Sequence, residues 1–213
     1  MVKAVLFDMD GVVLDSEKLY TRFWKQAIEE SGFSVTWEQL LDLRSLGKEF
    51  APAYFREILG PSADPEAIRI LRRVRMKEYT DVHPIQLKPG IRKTLEELRK
   101  RKILTAIATA SNPERAEGFL DQTGVRPLFD RVLTTASVAH GKPEPDIYLS
   151  ACQQLGIEPW EAMAVEDSDN GALSAIRAGC LTVMVPDLAP PGAQVVDQLY
   201  GVAGNVAEIL DLL

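Results

Sequence analysis

Cysteine and histidine are scarce in this chain, two of each among 213 residues. Cys152 and Cys180 stand in apolar surroundings with no second Cys or His at ligand spacing, so they read as buried reduced thiols rather than metal ligands. His83 and His140 have no ligand partner in sequence and carry no assigned role. Positive charge is in deficit as well, with 24 Lys and Arg against 31 Asp and Glu and a net charge of −7. Phosphate backbones need a basic footprint, so no nucleic-acid partner is expected, and a small anionic substrate would have to be gathered by a few local cations. No apolar run approaches about 18 residues, so no membrane partner is expected. The first residues show neither a basic region nor a cleavage-type site, which makes a cytoplasmic location the expectation. There is no internal repeat and no low-complexity segment. What remains is an acidic globular chain, 46% apolar, long enough to bury roughly 70% of its unfolded surface.

The most informative stretch is Lys3-Ala4-Val5-Leu6-Phe7-Asp8-Met9-Asp10-Gly11-Val12-Val13. Its apolar run is too short for a core helix and rich in β-branched and aromatic residues, and it breaks into two carboxylates and a glycine: a buried strand ending in a polar loop. In an open parallel sheet the carboxyl ends of the strands carry the ligand crevice. Asp8 and Asp10 would both arrive there, and side by side they need a cation or a retained proton. A calcium loop fails on spacing, because Val13 and Leu19 stand where its glycine and glutamate belong. A plain solvated turn is the other reading of this motif alone.

After Asp15 the pattern turns helical. Leu19, Tyr20, Phe23, Trp24, Ala27 and Ile28 share a face, Ser16 is placed to cap the start, and Gly32 stops the run. Helices are expected over 36–43, opened by Thr36-Trp37-Glu38-Gln39, over 49–59, stopped by Gly60-Pro61, and over 64–79. The proline-bearing stretch 83–90 reads as a return linker. From there helices (91–101, 113–123, 146–155, 170–178, 206–213) alternate with strands (103–108, 131–135, 162–165, 181–185). The fold class is therefore α/β, a doubly wound, mainly parallel, Rossmann-like sheet with an all-helical cap inserted after the first strand. The core would span 1–14 and 85–213 and the cap 15–84. The loop 186–194 reads as a connector. Arg69, Arg72, Arg73 and Arg75 read as one face of an exposed helix, and Trp24, Trp37 and Trp160 as core or cap packing.

Further strand ends carry polar groups that a connector would not require. Thr109-Ala110-Ser111-Asn112-Pro113 sets hydroxyls and an amide beside a helix N-terminus, a seat for an anion. Gly141-Lys142-Pro143-Glu144-Pro145-Asp146 stiffens the backbone around one lysine. Glu166-Asp167-Ser168-Asp169-Asn170-Gly171 brings a second acidic cluster to the same edge of the sheet. Carboxylate oxygens suit a hard ion such as Mg²⁺ together with a substrate phosphate. At about 4 Å and an effective dielectric near 20, each pair of unit charges interacts by about 4 kcal/mol, so a divalent cation and a lysine can reverse the repulsion between carboxylates and a phosphoryl group.

These motifs resemble those of the haloacid-dehalogenase-superfamily hydrolases, in the group with a helical cap after the first strand. Phe7-Asp8-Met9-Asp10-Gly11-Val12 is similar to that family's first motif, Thr109 to its second, Lys142 to its third, and Glu166-Asp167-Ser168 with Gly171 to its fourth. The resemblance implies a Mg²⁺-dependent phosphatase for a small phosphorylated metabolite, a sugar phosphate by expectation, acting through an aspartyl phosphate. It implies Asp8 as nucleophile and Asp10 as acid and base. Mg²⁺ would be held by the Asp8 carboxylate, the Asp10 backbone carbonyl and Asp167, with Glu166 through water. Thr109 and Lys142, with Ser111 and Asn112 beside them, would hold the phosphate. Arg44, Lys48 and Lys77 resemble cap positions that reach substrate, though each also reads as a solvated surface charge. The pattern is most similar to the β-phosphoglucomutase-like branch, whose mutases carry a histidine twelve residues after the nucleophile. Here that position is Tyr20, itself a candidate cap contact to the substrate as well as a packing residue beside Phe23 and Trp24, and the loss of the histidine weakens the mutase alternative. A non-catalytic binding protein on the same scaffold is the alternative of another class. A monomer is the expected state.

Overall fold

The computed structural model describes residues 1–44, 46–47 and 49–213. Lys48, expected near the substrate, lies outside the described residues. In chain order the first elements are β1 (Ala4–Phe7), α1 (Glu17–Glu30), α2 (Trp37–Asp42), α3 (Ala51–Leu59) and α4 (Pro65–Thr80). Next come α5 (Ile91–Lys100), β2 (Leu104–Ala108), α6 (Pro113–Gln122), β3 (Arg131–Leu133) and α7 (Asp146–Leu155). The series ends with β4 (Ala162–Glu166), α8 (Asp169–Ala178), β5 (Leu181–Met184) and β6 (Gly201–Val202). The strands form one parallel sheet in the order β3-β2-β1-β4-β5-β6.

Alternation along β1 divides the core in two. Val5 and Phe7 enter an apolar cluster with Ile91, Leu95, Leu98, Ala116 and Leu120 of α5 and α6. Ala4 and Leu6 enter the other, with Ile147, Tyr148, Ala151 and Ala175 of α7 and α8. A strand buried on both faces needs the continuous apolar run that β1 has. The chain proceeds outward from β1 to β2 and β3 on one side and through β4 to β6 on the other, so the order reverses beside β1, where a crevice opens at the carboxyl ends. Register brings the polar residues level there: Phe7 lies opposite Ile107 and Val165, and the next residue, Asp8, donates its N–H to Val165 O at 2.9 Å.

Helices α1 to α4 all lie between β1 and α5 in sequence. Ala27, Ile28, Leu40, Phe55 and Ile68 form a cluster of their own, while Phe23 and Met76 join the main core. The segment after α2 rests on the strand-end loops. Gly47 N–H donates to Lys142 O at 2.8 Å, Asn170 Nδ2 to Asp42 O at 3.1 Å and Arg44 O at 3.0 Å, and Gly141 N–H to the Glu49 carboxylate. Among the described residues no helix is long and apolar enough to cross a membrane.

The structure departs from the sequence pattern in several places. Ser16 does not cap α1 with its side chain, because its hydroxyl is taken by Asp10. Helix α3 starts at Ala51, where Pro52 fits a first turn that needs no N–H. The expected helix at 206–213 is a tight 3-10 turn over Val206–Asp211, and β6, two residues with a glycine among them, gave no periodic signal. Trp37 and Trp160 are exposed rather than packed, at 49% and 66%, whereas Trp24 packs against Phe55 with the rings tilted and their centroids 5.2 Å apart. Loop 186–194 is more than a connector: Asp187 accepts from Lys88 at 2.8 Å, and Gly192 N–H donates to Asp169 at 3.0 Å. Cys152 and Cys180 are buried and unbridged, and both belong to the α7–α8 cluster.

Candidate active site

At the end of β1, Asp8 is flanked by Thr109 beyond β2 and by Glu166 and Asp167 at the end of β4. Lys142 reaches in behind them from the loop before α7. Its Nζ donates to Asp8 Oδ1 at 2.6 Å and to Glu166 Oε1 at 2.5 Å, and Tyr148 of α7 donates its hydroxyl to the same Glu166 oxygen. Burial pulls the Lys142 ammonium down, but the two carboxylates outweigh it and hold the group above its ordinary value. Burial pushes Asp8 up to about 7, with Lys142 opposing and Glu166 and Asp10 adding to the rise. Asp167 is also held well above the carboxylate range, by burial and then by the nearby Glu17 and Asp8.

Three buried oxygens here lack any hydrogen-bond partner: Asp8 Oδ2, Glu166 Oε2 and Asp167 Oδ1. Ligand oxygens of these same three residues come within 4.8 Å of one another. Five carboxylates crowd the region, Asp8, Asp10, Glu17, Glu166 and Asp167, and the cations facing them are Lys142, Arg44 and Arg115 in direct contact or close by, with Arg72 acting on Asp10 and Glu17 from across the cavity. Unpaired buried acceptors are costly, so an all-oxygen cluster of this kind fits a hard divalent cation. Two glycines make room for these carboxylates. A Cβ on Gly171 would lie 2.0 Å from Glu166 Oε2, and one on Gly11, whose φ is +84°, would lie 2.4 Å from Asp167 Oδ2.

Asp10 stands at the wall of the cavity in a network of donors. Ser16 Oγ donates to its Oδ1 at 2.5 Å, Ser111 Oγ to its Oδ2 at 3.1 Å, and Arg115 Nη2 to its Oδ1 at 2.7 Å. Arg115 also bonds the Ser111 hydroxyl. The insert covers the cavity with Tyr20, Thr21, Trp24, Arg44 and Arg72, leaving a space of about 140 Å³ above Asp8, Asp10 and Thr109. Glu17, at the first turn of α1, lines the same space, and burial, then the charge of Asp10, pushes its carboxyl up to about 8.

Of the residues expected from sequence, Asp8, Asp10, Tyr20, Arg44, Thr109 and Ser111 line this one cavity. Thr109 Oγ1 accepts the Ser111 N–H at 3.1 Å. Lys142, Glu166 and Asp167 lie beneath, fully buried. Arg44 turns toward the acidic cluster, 3.4 Å from Asp167 Oδ2, rather than outward as a solvated charge would. Asn112 and Lys77 are elsewhere: Asn112 caps α6 by accepting from Arg115 N–H at 2.9 Å, and Lys77 pairs with Asp81 at 2.7 Å. Both face a second, larger groove. Arg72 corrects the reading of an exposed arginine face. It is half-buried, with its guanidinium 5.0 Å from the Tyr20 ring and 4.7 Å from the Trp24 ring.

Four site residues escaped sequence reasoning: Glu17, Thr21, Arg115 and Tyr148. Arg115 had a usable signal, since it lies four residues after Ser111 at the start of a helix and so faces the same way. Arg72 had one too, because Ile68, Arg72 and Met76 follow one another at helical spacing and the two flanking residues are buried. Glu17 and Tyr148 had none, being an ordinary first-turn acid and an ordinary helix aromatic in sequence.

A family model for haloacid dehalogenase-like hydrolases matches residues 2–179. Hexitol phosphatase B of Escherichia coli is 28% identical over 189 residues, covering 87% of this chain and 84% of the relative. The crystal structure of CbbY from Rhodobacter sphaeroides in complex with phosphate superposes with a TM-score of 0.79 at 26% identity, covering 98% of this chain and 96% of that one. A β-phosphoglucomutase from Clostridium difficile superposes with a TM-score of 0.81, covering 98% and 93%, but at 20% identity this likeness is one of fold. With a match across most of its length, motif carboxylates converging at one sheet edge and a phosphatase among its relatives, the chain belongs to the haloacid dehalogenase-like hydrolase family and is a hydrolase of the phosphomonoesterase kind.

Proposed function

We propose that the protein is a Mg²⁺-dependent phosphatase for a small phosphorylated sugar, working through an aspartyl phosphate on Asp8. The observation that carries this reading is the state of Asp8. One of its oxygens is bound to Lys142, and the other is buried without a partner in a carboxylate whose residue lines the cavity. That free Oδ2 would attack phosphorus as the ester P–O bond breaks. Asp10 would protonate the leaving oxygen, then take a proton from the water that attacks phosphorus and releases Asp8. Thr109 and Ser111 line the cavity, and their hydroxyls would meet the phosphoryl oxygens. Lys142 would act from behind, keeping the nucleophile's charge balanced as electron density leaves it. Mg²⁺ would be held by Asp8, Asp167 and the backbone carbonyl of Asp10, with Glu166 beside them, and would supply the positive charge that five carboxylates and a phosphate require. Residues 15–84 would act as the cap that keeps bulk water from the intermediate.

Hydrolysis is favoured over isomerisation because Tyr20, at the position of the mutase histidine, has no group that changes charge near neutral pH. Its ring has the guanidiniums of two arginines close by, Arg115 at 4.1 Å and Arg72 at 5.0 Å from the centroid. Hexitol phosphatase B, by its name, acts on phosphorylated hexitols, which supports a polyhydroxylated substrate here. The test is phosphate release from a panel of sugar phosphates with and without Mg²⁺. It includes β-glucose 1-phosphate with catalytic glucose 1,6-bisphosphate, followed by phosphorus NMR. Metal-dependent phosphate release with little glucose 6-phosphate is expected. Isomerisation that outruns release by about tenfold would establish the mutase instead, and inactivity on every ester with metal bound would establish the non-catalytic reading.

A further inference from the structure

A second opening of about 780 Å³ lies between α4 of the insert and α6 of the core. It shares Tyr20, Arg72, Ser111 and Arg115 with the cavity above Asp8, so the two spaces adjoin. Its lining is cationic: Arg69, Arg72, Arg73, Lys77 and Arg115 against Asp81 and Glu114. Most of this charge is occupied or far from the chemistry. Arg69 pairs with Glu66, Lys77 with Asp81 and Arg115 with Asp10, and Arg73 is exposed.

Arg72 differs from the rest. Its Nε is buried without a partner, as is that of Arg115, but unlike Arg115 it forms no ion pair among the described residues, and its only hydrogen-bond acceptor there is the Met76 sulfur at 3.9 Å. Burial and the adjacent Arg73 pull its guanidinium down to about 10, so it stays charged at neutral pH. The two nearby aromatic rings stabilise a cation but do not satisfy its N–H groups. Tyr20 and Thr21 also line the catalytic cavity, and their hydroxyls are buried without partners too. In a protein whose total charge is −7, a desolvated cation that feels Asp10 and Glu17 across the cavity but has no carboxylate in hydrogen-bond contact, at the junction of two openings, is a site built for an anion brought from outside.

We propose that the physiological substrate carries a second anionic group, a carboxylate or a second phosphate, that pairs with Arg72 while its hydroxyls meet Tyr20 and Thr21. This rests on the phosphatase reading above and narrows its substrate class. The scissile phosphate belongs at Asp8 and Thr109 on the floor. Arg72 stands across the cavity on the insert, and so it engages the far end of the molecule and selects by charge.

Two matched pairs of substrates test this: 6-phosphogluconate against glucose 6-phosphate, and fructose 1,6-bisphosphate against fructose 6-phosphate. The wild type should prefer the doubly anionic member of at least one pair by about tenfold or more in kcat/KM, chiefly through KM. The favoured pair then tells carboxylate from phosphate. Arg72→Met, which keeps the stacked volume, should erase most of that preference, and Arg72→Lys should keep part of it. Equal turnover within both pairs, or an equal loss on both members in Arg72→Met, overturns the proposal. Failure of the phosphatase reading would look different, with none of the four esters hydrolysed in Mg²⁺. Calorimetric binding of the same four to the Asp8→Asn protein then decides the anion site alone: a preference lost in Arg72→Met upholds it, and no preference refutes it.

Discussion

On the floor of the cavity Asp8, Glu166 and Asp167 each keep a buried oxygen without a partner. On the roof the groups left without one are the Arg72 N–H and the hydroxyls of Tyr20 and Thr21. The floor has surplus acceptors and the roof surplus donors, with one further unpartnered N–H, Arg115 Nε, on the core side between them. Each region is unfavourable by itself, because burying polar groups without hydrogen bonds costs stability. A divalent cation on the floor and a phosphorylated polyol beneath the roof would satisfy both. The division also separates tasks. The floor comes from strand ends and fits the phosphoryl group common to all phosphate esters, whereas the roof comes from inserted helices and meets whatever the phosphate is attached to.

The largest effect should come from breaking the floor. Lys142→Met removes the cation that bonds Asp8 and Glu166 and leaves two buried carboxylates facing each other. Loss of one partner from a buried pair typically costs about 3–5 kcal/mol, so urea denaturation of the metal-free variant should show a loss of that order together with loss of turnover.

An intermediate effect concerns pH. Glu17 is raised from its ordinary 4.5 to about 8 and Asp8 from 3.8 to about 7, both first of all by burial. The native state therefore binds protons more tightly than the unfolded chain. The stability this contributes is fully present below about pH 4 and is lost as pH rises through 7 to 8. Thermal melts of the metal-free protein should fall across that window, Mg²⁺ should restore stability at its alkaline end, and Glu17→Gln should flatten the slope.

The smallest effect should come from the roof and should have the opposite sign. Tyr20→Phe and Thr21→Val delete hydroxyls that have no partner in the free protein, so stability should stay level or rise by up to about 1 kcal/mol. KM for a sugar phosphate should increase in both. A destabilised Thr21→Val would mean that this hydroxyl is satisfied in the free protein, and the contrast between roof and floor would fail there.

The same contrast explains what could be read from the sequence. Floor residues follow short apolar strands whose ends are punctuated by Asp, Thr or Glu-Asp, and parallel register aligns those ends, so Asp8, Thr109 and Asp167 converge through rules visible in one dimension. The roof depends on which face of a helix turns inward and on which polar atoms find no partner, and these are settled only when α1 and α4 pack together. Arg72 was legible from its place between Ile68 and Met76, yet among four arginines its charge suggested solvent instead. Ser16 had the chemistry of a cap but found a carboxylate closer at hand.

The chemistry assigned to the floor turns on Asp8. Asp8→Asn keeps the side-chain volume and removes the nucleophile, so phosphate release in Mg²⁺ should fall by about 10⁴-fold or more while circular dichroism shows the fold retained. Metal-dependent hydrolysis that persists in Asp8→Asn would contradict an aspartyl phosphate at this residue and, with it, the role assigned to the floor.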